Sequence, residues 1–156
     1  MNANSEFVMQ PLEIGRLISI LYRSGQSFFM NNTDSLDLSG VQVGIIFYLY
    51  AHSNVSQELL TRAMEVDKAT ITRSVNKLEK NAVVERKRDE HDQRINRIVL
   101  TDYGHAIRSD LRQIAKQWQD ILLDGFTDDE VVQLSHLFSK LTDNARKYRS
   151  KSIEQR

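Results

Sequence analysis

The chain has 156 residues, with 21 Lys and Arg balanced by 21 Asp and Glu, no cysteine, one proline and six glycines. That length suits one domain with a sizeable core. The absent cysteines exclude disulfides, thiolate zinc sites and thiol redox sensing by this chain, and the neutral balance removes the simplest argument for nucleic-acid binding, a domain pI above about 9.

The longest apolar run, Val43 to Ala51, is far shorter than the roughly 20 residues a membrane-spanning helix needs. No basic segment leads into an apolar one at the N-terminus, so a cytoplasmic protein is expected. From Phe7 to Phe28, apolar residues at Phe7, Ile14, Leu17, Ile18, Leu21 and Phe28 predict an amphipathic helix, ended by polar Asn31 to Asp37. Ser39 with Gln42 forms a capping box that opens a second helix through Ala51. Ile45 to Tyr50 alone would also suit a buried strand, and the cap decides for helix. Gly40 and Gly44 are read as close helix packing, because no membrane span accompanies them.

Ser56 caps a short helix over Gln57 to Met64, with Leu59, Leu60 and Ala63 expected inward; a turn at Glu65 and Val66 leads to Asp67, the N-cap of the next helix. That helix sets Ile71, Val75 and Leu78 on one face and leaves Thr70, Arg73, Asn76 and Lys77 to project elsewhere. The pair makes a helix-turn-helix. Val83 to Arg88 and Ile95 to Leu100 then form a hairpin with a polar tip, Asp89 to Arg94. Thr101 is expected to cap one long helix with Ile107, Leu111, Ile114, Trp118 and Ile121 at spacings of four and three. Thr127 with Glu130 is a further capping box, followed by Val131, Leu134, Phe138, Leu141, Ala145 and Tyr148. Seams of this kind are too apolar to leave in water. They predict a homodimer formed by the first and last helices, the alternative being packing within one chain.

Charge is unevenly distributed. Val66 to Thr101 carries nine Lys and Arg against six Asp and Glu, a net +3, so the remainder carries 12 against 15, or −3. A helix that enters the major groove needs a core face and a second face of short polar groups and Arg; the helix after Asp67 has both.

Chemical motifs are otherwise scarce. There is no nucleophile elbow, P-loop, dinucleotide fingerprint or HExxH, so no enzyme activity and no cofactor are expected. His91 among Asp89, Glu90 and Asp92 is read as a solvated loop rather than a metal site, and His52, His105 and His136 lack ligand spacing.

Three stretches, VSQELLTRAMEVDKATITRSVNKLEK, VVERKRDEHDQR and RIVLTDYG, resemble the MarR family of winged helix-turn-helix transcriptional regulators, and the element order agrees over nearly the whole chain. The markers are Asp67-Lys68-Ala69-Thr70, the triplet Asp92-Gln93-Arg94, and Leu100-Thr101-Asp102-Tyr103-Gly104. The resemblance implies a mainly α fold with a small β-hairpin wing in a single domain, residues 1–156. Its winged helix-turn-helix DNA-binding lobe would span 39–101, with N- and C-terminal helical dimerisation regions at 5–31 and 102–150.

It further implies a homodimer whose recognition helices enter the major groove of a pseudo-palindromic double-stranded site. Arg94 would reach into the flanking minor groove, where A·T-rich narrowing attracts arginine, and Asp92 would orient the loop. Base-edge contacts are assigned to Thr70 and Arg73, phosphate contacts to Lys68 and Lys77, and Arg88 adds charge at the wing base. Family ligands, small and often aromatic or anionic, bind between the dimer helices and the winged lobe, which nominates Tyr22, Phe47 and Tyr50. By residue chemistry alone those aromatics read as core.

Three positions depart from the family pattern. Glu65 and Ala82 stand where glycine is usual, with Asn81 available to take a left-handed conformation beside Ala82, and Arg88 replaces a frequent proline. The expected function is a sequence-specific DNA-binding transcriptional regulator, a repressor released by a small-molecule ligand. The alternatives are a winged-helix protein-interaction module with a merely solvated cationic face, or a regulator controlled by its own abundance.

Overall fold

The computed structural model describes residues 12–33, 36–53, 55–89, 92–93 and 95–154, with side chains as far as 150. The elements in chain order are α1 (Glu13–Asn32), α2 (Gly40–Ala51), β1 (Val55–Ser56), α3 (Gln57–Met64), α4 (Lys68–Lys80), β2 (Val84–Arg88), β3 (Asn96–Leu100), α5 (Asp102–Ala106), α6 (Arg108–Leu122) and α7 (Asp128–Glu154). Two compact units divide at Trp118 and Gln119. No described helix is long and apolar enough to cross a membrane.

Local capping starts most of these helices. The Ser39 hydroxyl accepts the Gln42 N–H while the Gln42 side chain accepts the Ser39 N–H, which settles α2 as a helix. Ser56, Asp67 and Thr101 cap α3, α4 and α5 by accepting the N–H groups of Leu59, Thr70 and Gly104. Each cap satisfies a donor that the helix itself leaves without a partner.

In the first unit the buried core gathers Leu38, Val43, Ile45, Ile46 and Leu49 with Leu60, Ile71, Val75 and Leu78, closed by Val55, Val83, Val84, Ile98 and Leu111. α3 contributes less than its sequence suggests: Leu60 is buried, but Leu59 is 43% exposed and Ala63 faces solvent. Leu60 and Met64, four apart, make a narrower inward stripe, and a Cβ on Gly44 would lie 2.8 Å from the Met64 methyl. A Cβ on Gly40 would lie 3.4 Å from the Phe29 ring, an ordinary contact. Close helix packing therefore favours glycine at 44, while position 40 has room for a methyl group.

The sheet has the order β1-β3-β2, antiparallel throughout, with Val84 opposite Leu100, Arg88 opposite Asn96 and Val55 opposite Ile98. The expected hairpin is present, and β1, two residues long, is an additional strand. Glu65 and Ala82 both have positive φ, 53° and 54°. Asn81 does not relieve Ala82: at φ −82° and ψ 7° it ends α4 outside the left-handed region. The turn places its one left-handed residue at Ala82, whose N–H bonds the Glu79 carbonyl.

The first helix is described from Glu13 and runs to Asn32, beyond Phe28; Phe7 lies outside the described residues. Thr33 closes it, donating its hydroxyl to the Phe29 carbonyl at 2.9 Å and accepting the Leu38 N–H at 2.7 Å. The helix expected after Thr101 is two helices, α5 and α6, separated by a turn at Ile107. In the second unit, Thr127 and Glu130 form the expected capping box at the start of α7.

Candidate nucleic-acid interface

The interface begins with an N-cap that does more than start a helix. One Asp67 carboxylate oxygen accepts the Thr70 N–H at 2.9 Å and the other accepts the Thr70 hydroxyl at 2.6 Å. The same hydroxyl accepts from the Arg73 guanidinium at 3.2 Å. Asp67, Thr70 and Arg73 thus form a chain of charge-assisted hydrogen bonds along the outer face of α4. The Thr70 hydroxyl, and after it the Thr70 N–H, holds the Asp67 carboxyl below its ordinary pKa.

The opposite face of α4 buries Ile71, Ser74, Val75 and Leu78. Lys68 is exposed at the first position, and its carbonyl accepts the Thr72 hydroxyl, which in turn accepts the Gln57 amide at 2.8 Å. Lys77 is already paired at the surface: its ammonium donates to the Asp37 carboxylate at 2.8 Å.

Strand β2 is tied to this helix. Arg86 pairs with Glu79 and donates to the Asn76 side chain at 2.7 Å, so Asn76, on the polar face, supports the wing. Arg88 is exposed and donates to the Gln93 carbonyl at 2.7 Å. The Asp92 main chain takes part in the tip, its N–H donating to Asp89 and its carbonyl accepting the Ile95 N–H at 2.9 Å. Arg94, Glu90 and His91 lie outside the described residues. Among the described residues no group of three or more His, Cys, Asp or Glu is placed to hold a metal ion.

Between the N-termini of α3 and α4 and the strand β3 runs an open cavity of about 690 Å³, lined by Ser56, Gln57, Thr61, Lys68, Asn96 and Arg97 among others. Of these only Lys68 belongs to the set expected from the sequence. Asn96 and Arg97 are brought to Ser56 by the pairing of β1 with β3, and Gln57 on α3 reaches α4 through its bond to Thr72. A two-residue strand leaves almost no periodic signal from which that pairing could be read.

The three aromatics nominated for a ligand line none of the cavities beside β3 or α6. Tyr22 is 61% exposed on α1. Phe47 and Tyr50 meet edge to face with ring centroids 5.9 Å apart. The Tyr50 hydroxyl donates to the Gly104 carbonyl at 2.7 Å, and the Arg108 guanidinium lies 4.9 Å from its ring centroid. Burial raises the pKa of that hydroxyl, with Arg108 and then Arg112 opposing. A small cavity of about 130 Å³, lined by Thr33, Leu36, Tyr103, Ile107, Asp110, Leu111 and Ile114, contains none of the three.

Residues 36–95 match the model of the MarR family. The crystal structure of a MarR transcriptional regulator from Methanosarcina mazei Go1 superposes with a TM-score of 0.78 at 31% identity, covering 86% of this chain and 96% of that one. The chain belongs to the MarR family. Its winged helix-turn-helix is accordingly that of a DNA-binding transcriptional regulator. The HTH-type transcriptional regulator YybA of Bacillus subtilis (strain 168) is 26% identical over 132 residues, 85% of this chain and 88% of that protein. The HTH-type transcriptional repressor NicR of Pseudomonas putida is also 26% identical over 132 residues, 85% of this chain and 84% of the relative.

Proposed function

We propose that this MarR-family regulator is a homodimeric repressor that reads a pseudo-palindromic duplex and releases it when a small aromatic or anionic molecule binds. The observation that carries the reading is the Asp67-Thr70-Arg73 chain, which orients a guanidinium on the exposed face of α4 before any partner arrives. Arg73 and Thr70 then read base edges in the major groove, and Lys68, at the edge of the cavity beside β3, takes a phosphate. Lys77 reaches a phosphate by sharing or leaving Asp37. Arg88 adds charge at the wing base and Arg94 enters the minor groove, with Asp92 orienting the loop.

Dimerisation is supported by two apolar stripes considered separately. α1 exposes Ile14, Leu17, Ile18 and Leu21, and α7 exposes Leu137, Phe138 and Leu141. Contiguous apolar surface of this kind marks an interaction site, and a two-fold pair of recognition helices suits a palindrome. The repressor sense is supported by the relative NicR, which is named a repressor. Release by a ligand requires only that the ligand prefer the arrangement that does not fit DNA.

The test is selection of bound sequences from a random duplex pool, followed by affinity measurement on the recovered site across a salt series. A palindrome, a steep loss of affinity with salt and a weakened Arg73→Ala variant are expected. Weak, salt-independent binding with an indifferent variant would identify the winged helix as a protein-interaction module.

A further inference from the structure

We infer that Asp89, acting through Arg97, is the positioning residue of the wing. The inference rests on the DNA-reading proposal for its consequence but on independent geometry for its mechanism. Asp89 is 7% exposed although it lies in the most polar loop of the chain. One carboxylate oxygen accepts the Asp92 N–H at 2.9 Å and the other accepts the Arg97 Nε at 2.6 Å. Its main chain is committed as well: its N–H donates to the Ile95 carbonyl at 3.0 Å, and its carbonyl accepts the Gln93 amide at 3.2 Å.

Arg97 explains why this carboxylate matters beyond the loop. It lies on the central strand, opposite Lys87 on β2 and opposite Ser56 on β1. Like charges directly across a strand pair repel, so Arg97 beside Lys87 needs a counter-charge. Lys87 has one in Glu85 at 2.9 Å, and Arg97 has Asp89. Past β1 the wing is a two-stranded ribbon, a structure that is marginal in water by itself. The Asp89–Arg97 pair ties the end of that ribbon to the three-stranded part of the sheet. Asp92, Gln93 and Ile95 all belong to this network, so fixing them during folding spares that entropy when DNA binds.

The experiment uses the full-length chain and two readouts: hydrogen exchange at the Asp92 and Ile95 amides, and affinity for the selected duplex. Asp89→Ala and Arg97→Ala should each accelerate exchange at both amides and lower affinity by about ten- to a hundred-fold, while core amides such as those of Val75 and Ile98 stay protected. Because the two residues act as one unit, the double variant should bind no more weakly than the weaker single variant. Asp89→Asn keeps an acceptor for the Asp92 N–H but none for Arg97, so its exchange at Asp92 should stay slow while affinity falls part-way. Unchanged exchange in both alanine variants, or losses that simply add, would overturn the inference. A wild-type chain that bound no duplex would instead defeat the DNA-reading proposal, with the exchange data still deciding the role of Asp89.

Discussion

Lys77 on the recognition helix donates to the Asp37 carboxylate at 2.8 Å, joining residues 40 apart in sequence. Four residues on, Asn81 donates its amide to the Leu36 carbonyl at 2.9 Å. The C-terminal half of α4 is thus fastened to the connection between α1 and α2. Lys77 also donates to the Asp37 main-chain carbonyl, so the segment that leaves α1 and the helix proposed to read DNA are linked by three hydrogen bonds.

That arrangement predicts a gain of binding. Asp37 has φ 46°, which asparagine tolerates, so Asp37→Asn removes the charge without straining the backbone. The pair is partly exposed, and its loss should cost at most about 1 kcal/mol of stability. Lys77 then keeps only its bond to the Asp37 main-chain carbonyl and no longer has to leave a carboxylate to reach a phosphate, so affinity should rise at low salt. An unchanged affinity would mean that Lys77 serves the fold alone.

Backbone strain predicts a second gain. Ala82 holds φ 54°, a conformation that costs a non-glycine residue roughly 1–2 kcal/mol, part of which glycine returns as unfolded-state entropy. Ala82→Gly should therefore stabilise the protein by about 0.5–1 kcal/mol in urea titration. A destabilised variant would show that the Ala82 methyl contributes more than its backbone costs.

Gly104 works in the opposite sense. A Cβ there would lie 2.2 Å from the Val83 carbonyl oxygen and 3.1 Å from a Leu100 methyl. Because one neighbour is backbone, no rotamer relieves the clash, and α5 would have to move off the sheet. Gly104→Ala should cost about 2–3 kcal/mol. Gly15→Ala is the matched control, since nothing lies within 4 Å of its Cβ and an exposed helical site favours alanine.

The Asp67 cap makes stability depend on pH. The folded-state pKa of Asp67 is lowered, so its stabilising contribution is fully present above the unfolded carboxylate pKa and is lost as pH falls through the folded value. Asp67→Asn retains an acceptor for the helix and should have a shallower acid limb in Tm against pH than the wild type. Asp67→Ala should also be less stable at neutral pH and should bind DNA more weakly, because Thr70 and Arg73 lose their anchor. An acid limb identical in all three proteins would refute this assignment.

Several elements were legible in the chain because their signals are local. Ser39 with Gln42, Ser56, Asp67, and Thr127 with Glu130 all cap the helices expected of them, and Thr101 caps α5, the first of the two helices into which the expected long one divides. A cap is a contact between residues three apart, so the residues themselves carry it. The β-hairpin was equally visible from two β-branched runs around a polar tip. The break at Ile107 was not: the apolar spacing continues through it, and spacing does not register a turn that keeps the same residues inward.

The candidate interface divides along the same line. Thr70 and Arg73 could be placed on one side of α4 by counting from Asp67, and Lys68 in its first turn, since helical periodicity fixes which residues share a face. Counting could not show that Asp67 orients Arg73 through Thr70, that Lys77 turns to Asp37, or that Asp89 rather than an exposed loop acid is the buried partner of Arg97. Those are hydrogen bonds and ion pairs whose worth depends on burial and on which strands meet. By itself the sequence determined the helices, their caps, the wing and the family; the tertiary structure alone decided how the charges pair, because Coulombic and hydrogen-bond partners are chosen by distance in space, which no spacing along the chain encodes.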